Sequence, residues 1–443
     1  MSSSDETTGL TIICVGGGLA GLAAAGWLRK QHKVIVLERG KLSESTSDYG
    51  MSIVSNAMNL LLREGVDPVL LDSVLFTHTW MSNSDGTLIR SKVFDTTETF
   101  GTSSVFTKRN KLHAELLRFA TSTETENAGQ PAIIVEEAKV VRIEPEEGLV
   151  MLKDGREFRG DVIVGSDGIG SATRGVLFPE ARVKPSGVAS VMSVVPLEVI
   201  RADPFLSTFV EGVAGLSIFY GPSHLRASFF PMDNKGNIQV VGSVPEDEWT
   251  EQFDAKQTSI LKGIDPAYAL DKFEGFHPSI VKLFGSSISG KHDVWRIRDI
   301  DPLQSWSVGR VILIGDAAHA TTPQSASRPF RSHASDPLFS SPAIEDAEAL
   351  AFLLRDLKKG SSSSSISAAF ATFEALRRPR ATYVQETSRM GGGMLQGEEA
   401  KRIGPFDPVR FAKVIYSYRG AQGALKEMEE GRSREAEAVV AQA

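Results

Sequence analysis

The sequence predicts an α/β fold: a Rossmann-like nucleotide-binding domain, discontinuous along the chain, with an inserted antiparallel-sheet domain and C-terminal helices. Three observations carry this. A strand, glycine loop, helix and second strand open the chain, with Gly16, Gly18 and Gly21 at the spacing of a dinucleotide site. Residues 186–298 hold short runs of branched and aromatic residues separated by polar turns, which is the pattern of an antiparallel sheet. A buried-strand pattern returns at residues 310–314 and a long helical pattern at 344–357. The division is therefore 9–185 for the first part of the nucleotide domain, 186–298 for a substrate-binding sheet, 299–400 for the return segment and 401–443 for a helical tail.

The opening unit can be justified residue by residue. Residues 11–15 form a β-branched run suited to a buried parallel strand. Gly16 lets the chain turn, Gly18 lets a pyrophosphate approach the backbone, and Gly21 lets the helix pack close to the strand. Residues 19–30, rich in alanine and leucine, read as a helix whose N-terminus offers unpaired N–H groups and a positive dipole end to phosphate. Residues 34–37 read as the second strand, which delivers Glu38 twenty residues beyond Gly18, where a ribose-binding acid belongs. A lone glycine motif arises often by chance. Strand, glycines, helix, strand and acid in register are far more specific.

Further along, Arg109 opens a helix that runs on through Leu112, Glu115, Leu116 and Phe119. A cation at a helix start opposes the dipole, so Arg109 calls for an anion nearby; a solvated basic turn is the plainer alternative. Residues 133–135, 140–143, 149–152 and 157–159 suggest one small antiparallel sheet with a turn at Asp154-Gly155. Residues 161–164 read as a buried strand that delivers Gly165-Ser166-Asp167-Gly168 to the carboxyl edge of the sheet, where ligand crevices form. The strand at 310–314 delivers Gly315-Asp316-Ala317-Ala318-His319 in the same way. A nicotinamide dehydrogenase usually needs only the first glycine loop. A grip at both ends suits FAD held in an extended pose.

Composition limits the alternatives. At 443 residues and a net charge of −7, without a basic cluster interleaved with aromatics, the chain is a poor candidate for nucleic acid or anionic membrane. Cys14 is the only cysteine and sits in the first strand, which excludes an intrachain disulfide, an Fe–S cluster and a cysteine-based zinc site. Eight scattered histidines show no metal-ligand spacing. No run of 18 apolar residues spans a membrane and residues 1–8 lack a signal-peptide pattern, so cytoplasmic is the default address. The serines at 361–365 read as a flexible surface loop, and residues 426–443 as an exposed helix or frayed end.

These motifs carry a family resemblance. Over residues 9–400 the chain resembles the FAD-dependent aromatic hydroxylases of the p-hydroxybenzoate hydroxylase fold, and is closest to fungal salicylate-hydroxylase-like monooxygenases. Gly16, Gly18, Gly21 and Glu38 match the family's ADP-ribose fingerprint, and Tyr49-Gly50-Met51-Ser52-Ile53 matches its flavin-side loop. Arg109 matches an arginine that reaches the FAD phosphates, and Asp167-Gly168 a motif tied to both FAD and NAD(P)H. Asp316 matches the acid at the ribityl or phosphate region, and Pro323 a proline beside the flavin ring. The resemblance implies FAD as cofactor, NADPH or NADH as transient co-substrate, and O2 with a small aromatic or polyketide-like substrate, in fungal secondary metabolism. It implies oxygen transfer from a flavin C4a-hydroperoxide, and a monomer or homodimer. Tyr220 matches a tyrosine that some fungal members use on the substrate oxygen; ordinary sheet packing is the alternative. Either His224 or Arg226 could face the substrate, with a surface position the preferred expectation, and His319 is expected as a structural residue near the cofactor.

The chain departs from the family pattern twice. An arginine that often accompanies the substrate tyrosine is absent where this chain reads Ser190-Val191-Met192-Ser193, which moves the expectation away from a simple phenolic acid. After Pro323 the family has a short glycine-rich loop. Here residues 325–342 contain no glycine, and read as an anomalous insertion: a lid or, in the preferred reading, non-coding sequence carried into the chain. An epoxidase or N-oxygenase acting on an alkaloid or terpenoid stays open, as does a catalytically impaired FAD-binding protein.

Overall fold

The computed structural model describes residues 9–44, 48–93, 95–124, 129–210, 214–222, 225–246, 260–322, 341–391, 401, 403 and 407–442. The β-branched run Thr11–Val15 lies inside a six-stranded sheet, between Val162–Gly165 and Lys33–Leu37. Val311–Leu313 and Ser307–Val308 continue the sheet on one side and Ile133–Val135 on the other. All pairings are parallel except the short Ser307–Val308 hairpin. Helices Leu19–Leu28 and Ser341–Leu354 pack against each other over this sheet, with Ala23, Ala24, Ile344, Ala347 and Leu350 fully buried. Small residues at that contact let the two helices approach closely.

Ile133–Val135 corrects the expected four-stranded antiparallel unit. It pairs in parallel with Lys33–Leu37, leaving Val140–Glu144, Leu149–Leu152 and Glu157–Arg159 as a three-stranded antiparallel sheet. Three apolar residues cannot announce their partner, and the open edge beside Lys33–Leu37 captures them.

The second large sheet has eight strands in the order Ile260–Ile264, His292–Ile300, Val183–Pro196, Asn237–Pro245, Arg226–Pro231, Gly215–Tyr220, His78–Asn83, Leu88–Val93. It lies mostly within residues 183–300 but recruits two strands from residues 78–93. His78–Asn83 joins Gly215–Tyr220 in parallel, and the charged edge Leu88–Val93 follows by a hairpin. Arg90 and Lys92 on that edge strand discourage further pairing.

Both faces of this sheet are covered. Phe219, Phe229 and Val240 pack on Phe273 and Phe284 from helices Pro266–Lys272 and Pro278–Gly285 and the turns that follow them. Leu216, Ile218, Tyr220, Phe230 and Val241 face the other way, onto Phe76 and Phe106. The serine run is not a loop throughout: Ser363 begins the long helix Ser363–Gly391, and Ser362 Oγ accepts from Ser365 N at 3.2 Å. Serine at a helix start satisfies an otherwise orphan N–H, which overrides its flexible reputation. In the C-terminal region, helix Pro408–Tyr416 buries Phe411, Ile415 and Tyr416 against Val54 and Val384.

Candidate active site

The glycine loop is pinned at several points. Gly16 adopts φ +105°, a conformation that L side chains rarely adopt, and a Cβ there would meet the Ser166 carbonyl oxygen at 2.7 Å. Gly21 has no room either, since a Cβ would stand 2.0 Å from the Gly16 oxygen. Gly18 is different: a Cβ would meet nothing within 4 Å. It precedes helix Leu19–Leu28, whose first turn has no acidic residue and no side-chain cap. The space before Gly18 and the free N–H groups beside it fit a pyrophosphate.

Glu38 ends the second strand with one carboxylate oxygen accepting from Gly17 N at 2.7 Å and the other from Gly40 N at 2.9 Å. His113 donates from Nε2 to the Gly17 carbonyl at 2.9 Å. Burial lowers the His113 pKa, and Arg109 lowers it further, against the Gly17 hydrogen bond and Glu38, so the ring serves as a neutral donor. Sequence reasoning missed His113, although it lies one helical turn after Arg109 on the helix Arg109–Thr121.

Arg109 is half-buried at the start of that helix, and its N–H donates to the Tyr49 carbonyl at 3.0 Å. Its guanidinium makes no hydrogen bond or ion pair with protein among the described residues. It lies within electrostatic reach of Tyr49, His113 and Asp316. Asp316 keeps an exposed surface, while the protein packed around it desolvates its carboxylate. That desolvation raises its pKa, while His319, Arg109 and Arg174 oppose the rise. The structure thus gathers Glu38, Arg109 and Asp316, three residues far apart in sequence: Arg109 acts on Asp316, and Glu38 and Arg109 both act on His113.

Asp167 stands in the adjoining loop, but its carboxylate is turned on its own chain. It accepts from Thr173 N at 3.0 Å and Thr173 Oγ1 at 3.1 Å, and also from the Ser171 hydroxyl. Arg174, not foreseen, crosses from the following helix to donate to the Ala317 carbonyl at 3.0 Å, tying this loop to the Asp316 turn.

Gly50 meets the eight-stranded sheet directly. Its N–H donates to Gln239 Oε1 at 2.8 Å, and a Cβ there would lie 2.9 Å from the Phe230 ring. Tyr49 packs edge-on against Trp295 with ring centroids 4.7 Å apart. Trp295 pairs with Ser190, Ser190 with Ser243, Ser243 with Arg226, and Arg226 with Tyr220. Directly opposed residues share a face, so this whole row lies on the side of the sheet that meets the nucleotide domain. Tyr220 is buried at the end of that row. Arg226 is buried as well, contrary to the expected surface position; its guanidinium donates to Ser243 Oγ at 3.4 Å and burial lowers its pKa. Pairing beside Tyr220 turns it inward, and no local pattern reveals that. Met192 is on the same face, one step along the strand from Ser190. His224, Pro323 and most of the anomalous stretch, residues 323–340, lie outside the described residues. Among the described residues no group of three or more potential ligands could hold a metal ion, and no helix is long and apolar enough to cross a membrane.

Comparison with known proteins identifies the family. Residues 9–327 match the model of the FAD binding domain family. Hispidin-3-hydroxylase of Neonothopanus nambi is 28% identical over 393 residues, covering 86% of this chain and 87% of its own. Salicylate hydroxylase of Pseudomonas putida is 25% identical over 396 residues, covering 86% and 85%. The crystal structure of CtdE in complex with FAD and a substrate superposes with a TM-score of 0.72 at 21% identity, over 95% of this chain and 98% of that one. The chain belongs to the FAD binding domain family; its cofactor is FAD, its fold is that of the FAD-dependent aromatic hydroxylases, and it is an oxidoreductase of the monooxygenase class.

Proposed function

Starting from that membership, we propose that the protein uses NAD(P)H and O2 to hydroxylate a small aromatic or polyketide-like substrate held between Tyr220 and the flavin-side loop at Gly50. The observation that supports this best is the meeting of two surfaces. Arg109 and Asp316 act electrostatically on Tyr49, and Tyr49 and Gly50 touch the sheet face that carries Tyr220.

Each residue then has a task. Glu38 takes the adenosine ribose, as an acid at the end of the second strand does. The N–H groups beside Gly18 and the uncompensated Arg109 guanidinium hold the pyrophosphate charge. Asp316 hydrogen-bonds the ribityl or phosphate region. Gly50, with no Cβ to meet Phe230 and Met232, lets the flavin-side loop close onto the sheet, where Phe230, Phe106 and Phe76 pack as a buried apolar base. Asp167 contributes through the shape of its loop, because its carboxylate is already committed. Held by these residues, FAD would supply the chemistry of hydride acceptance from the nicotinamide and of O2 activation for transfer of one oxygen atom. The Tyr220 hydroxyl hydrogen-bonds the substrate oxygen and stabilises negative charge as it develops there. Resemblance to the two named hydroxylases supports an electron-rich ring as substrate.

A second reading rests on the sequence after Pro323, which has no glycine from 324 to 341. On that reading the chain binds FAD but turns over poorly. Both are tested by the visible spectrum of the purified protein, with the released flavin quantified, followed by NADH and NADPH oxidation over phenols and olefins. About one FAD per chain with phenol-stimulated oxidation and a hydroxylated product supports the main reading. Stimulation by olefins alone overturns it in favour of an epoxidase. Bound FAD without stimulated turnover favours the impaired protein.

A further inference from the structure

We propose that Asp346 is a positioning residue for the cofactor site: it holds the turn from Gly315 to His319, and through that turn sets where Asp316 meets FAD. This deepens the preceding reading and rests on its assignment of Asp316.

The geometry is that of a single carboxylate shared between two structures. Asp346 lies on helix Ser341–Leu354 and is fully buried. Its Oδ2 accepts from Gly315 N at 2.9 Å and from His319 Nε2. These two donors stand at opposite ends of the one-turn helix Asp316–His319, so one oxygen spans the segment that presents Asp316. Gly315 has φ +57°, and a Cβ there would crowd Ala20 at 2.9 Å, so only glycine fits this turn and its free backbone needs an external hold. Oδ1 accepts from Arg377 Nε at 2.8 Å, on helix Ser363–Gly391.

The clamp is braced from behind. Arg377, also fully buried, bonds Glu345 with another nitrogen; Glu345 takes two bonds from Arg380, at 2.7 and 2.6 Å, and one from Asn56. Arg377 and Arg380 thus face Glu345 and Asp346, with Glu348 within electrostatic reach of Arg377. Burial alone would raise the Asp346 pKa; His319, Arg377 and the Gly315 N–H together bring it down to about 2, so it is ionised across the working range.

A carboxylate that only glued helices together would need no contact with the turn. Here half of its acceptor capacity goes to the two ends of the segment that carries Asp316. The test is a double-variant cycle read as FAD dissociation constants of the full-length apoprotein, titrated by quenching of flavin fluorescence, with the visible band of the bound flavin as a second signal. Asp346→Asn and Asp316→Asn should each weaken FAD at least about tenfold, and the double variant should be little weaker than Asp316→Asn alone. Asp346→Glu should recover part of the loss. His319→Gln leaves the Arg377 bonds in place and covers the case in which Asp346→Asn does not fold. It should reproduce the same non-additivity with Asp316→Asn and shift the flavin band.

Additive losses, or unchanged affinity and spectrum in His319→Gln and Asp346→Asn while Asp316→Asn binds weakly, overturn this inference and leave the cofactor reading standing. Unchanged affinity in Asp316→Asn overturns the assignment of Asp316 and this inference with it.

Discussion

In the nucleotide-binding half the site is made largely of backbone: the uncapped first-turn N–H groups of helix Leu19–Leu28, open space at Gly18, and peptide groups of Gly17 and Gly40 held by Glu38. In the eight-stranded sheet it is made of side chains, set in a row by five strands that pair across the sheet from Trp295 to Tyr220. The first design depends on the absence of Cβ atoms and the second on strand register. A backbone site tolerates nearly any neighbour but few substitutions at the glycines. A side-chain site can change chemistry one residue at a time.

The contrast can be broken in four places. The largest effect is expected at Gly21→Val. Its Cβ would overlap the Gly16 carbonyl at 2.0 Å and the Ser166 hydroxyl at 2.7 Å, both fixed groups, so a loss of about 3 kcal/mol or of the folded protein is expected. Thermal melting and FAD content check it; wild-type values for both would remove the case that close packing drives the glycine spacing.

Gly18→Ala comes next and separates space for ligand from space for folding. The residue has φ −77° and ψ −171° with open space around it, so the apoprotein should melt at or slightly above the wild-type temperature. FAD affinity should fall about tenfold, some 1.4 kcal/mol. Equal loss of stability and affinity would mean that Gly18 serves the fold.

On the other side of the cleft, Tyr220→Phe should bind FAD as the wild type does and lose about tenfold in substrate-stimulated NAD(P)H oxidation, the weight of one hydrogen bond to a charged oxygen. A change in FAD content instead would assign Tyr220 to the nucleotide half.

The smallest effect concerns acid stability. The Asp346 pKa is lowered from 3.8 to about 2 in the folded state, so its ionised form adds stability that is complete above about pH 4 and lost as pH falls through 2. Of the roughly 2 kcal/mol involved, only about 1 kcal/mol is lost between pH 5 and pH 3. Denaturant unfolding at pH 5 and pH 3 should show the wild type losing more stability than Asp346→Asn over that interval. Parallel losses would show that other carboxylates control acid unfolding.

Much of the nucleotide half could be read in advance because its signals are local. Thr11–Val15, the three glycines and Glu38 fall within 28 consecutive residues, and spacing alone set their roles as expectations. Arg109 and Asp316 stood out as charges at the start of a helix and the end of a strand. His113 could have been found from its helical register with Arg109. The capture of Ile133–Val135 by the parallel sheet, and of His78–Asn83 by the distant Gly215–Tyr220, could not be found that way.

The sequence by itself therefore determined the periodicity, the turns and the points where the backbone must come close to a ligand, since each is a property of a few adjacent residues. Only the tertiary structure decided which strands are neighbours, and with that the burial of Arg226 beside Tyr220 and the grip of Asp346 on Gly315 and His319. Those contacts join residues that no local pattern links. Their energies arise only once water is excluded from the assembled interior, where an ionised carboxylate must be paired and a buried guanidinium must find acceptors.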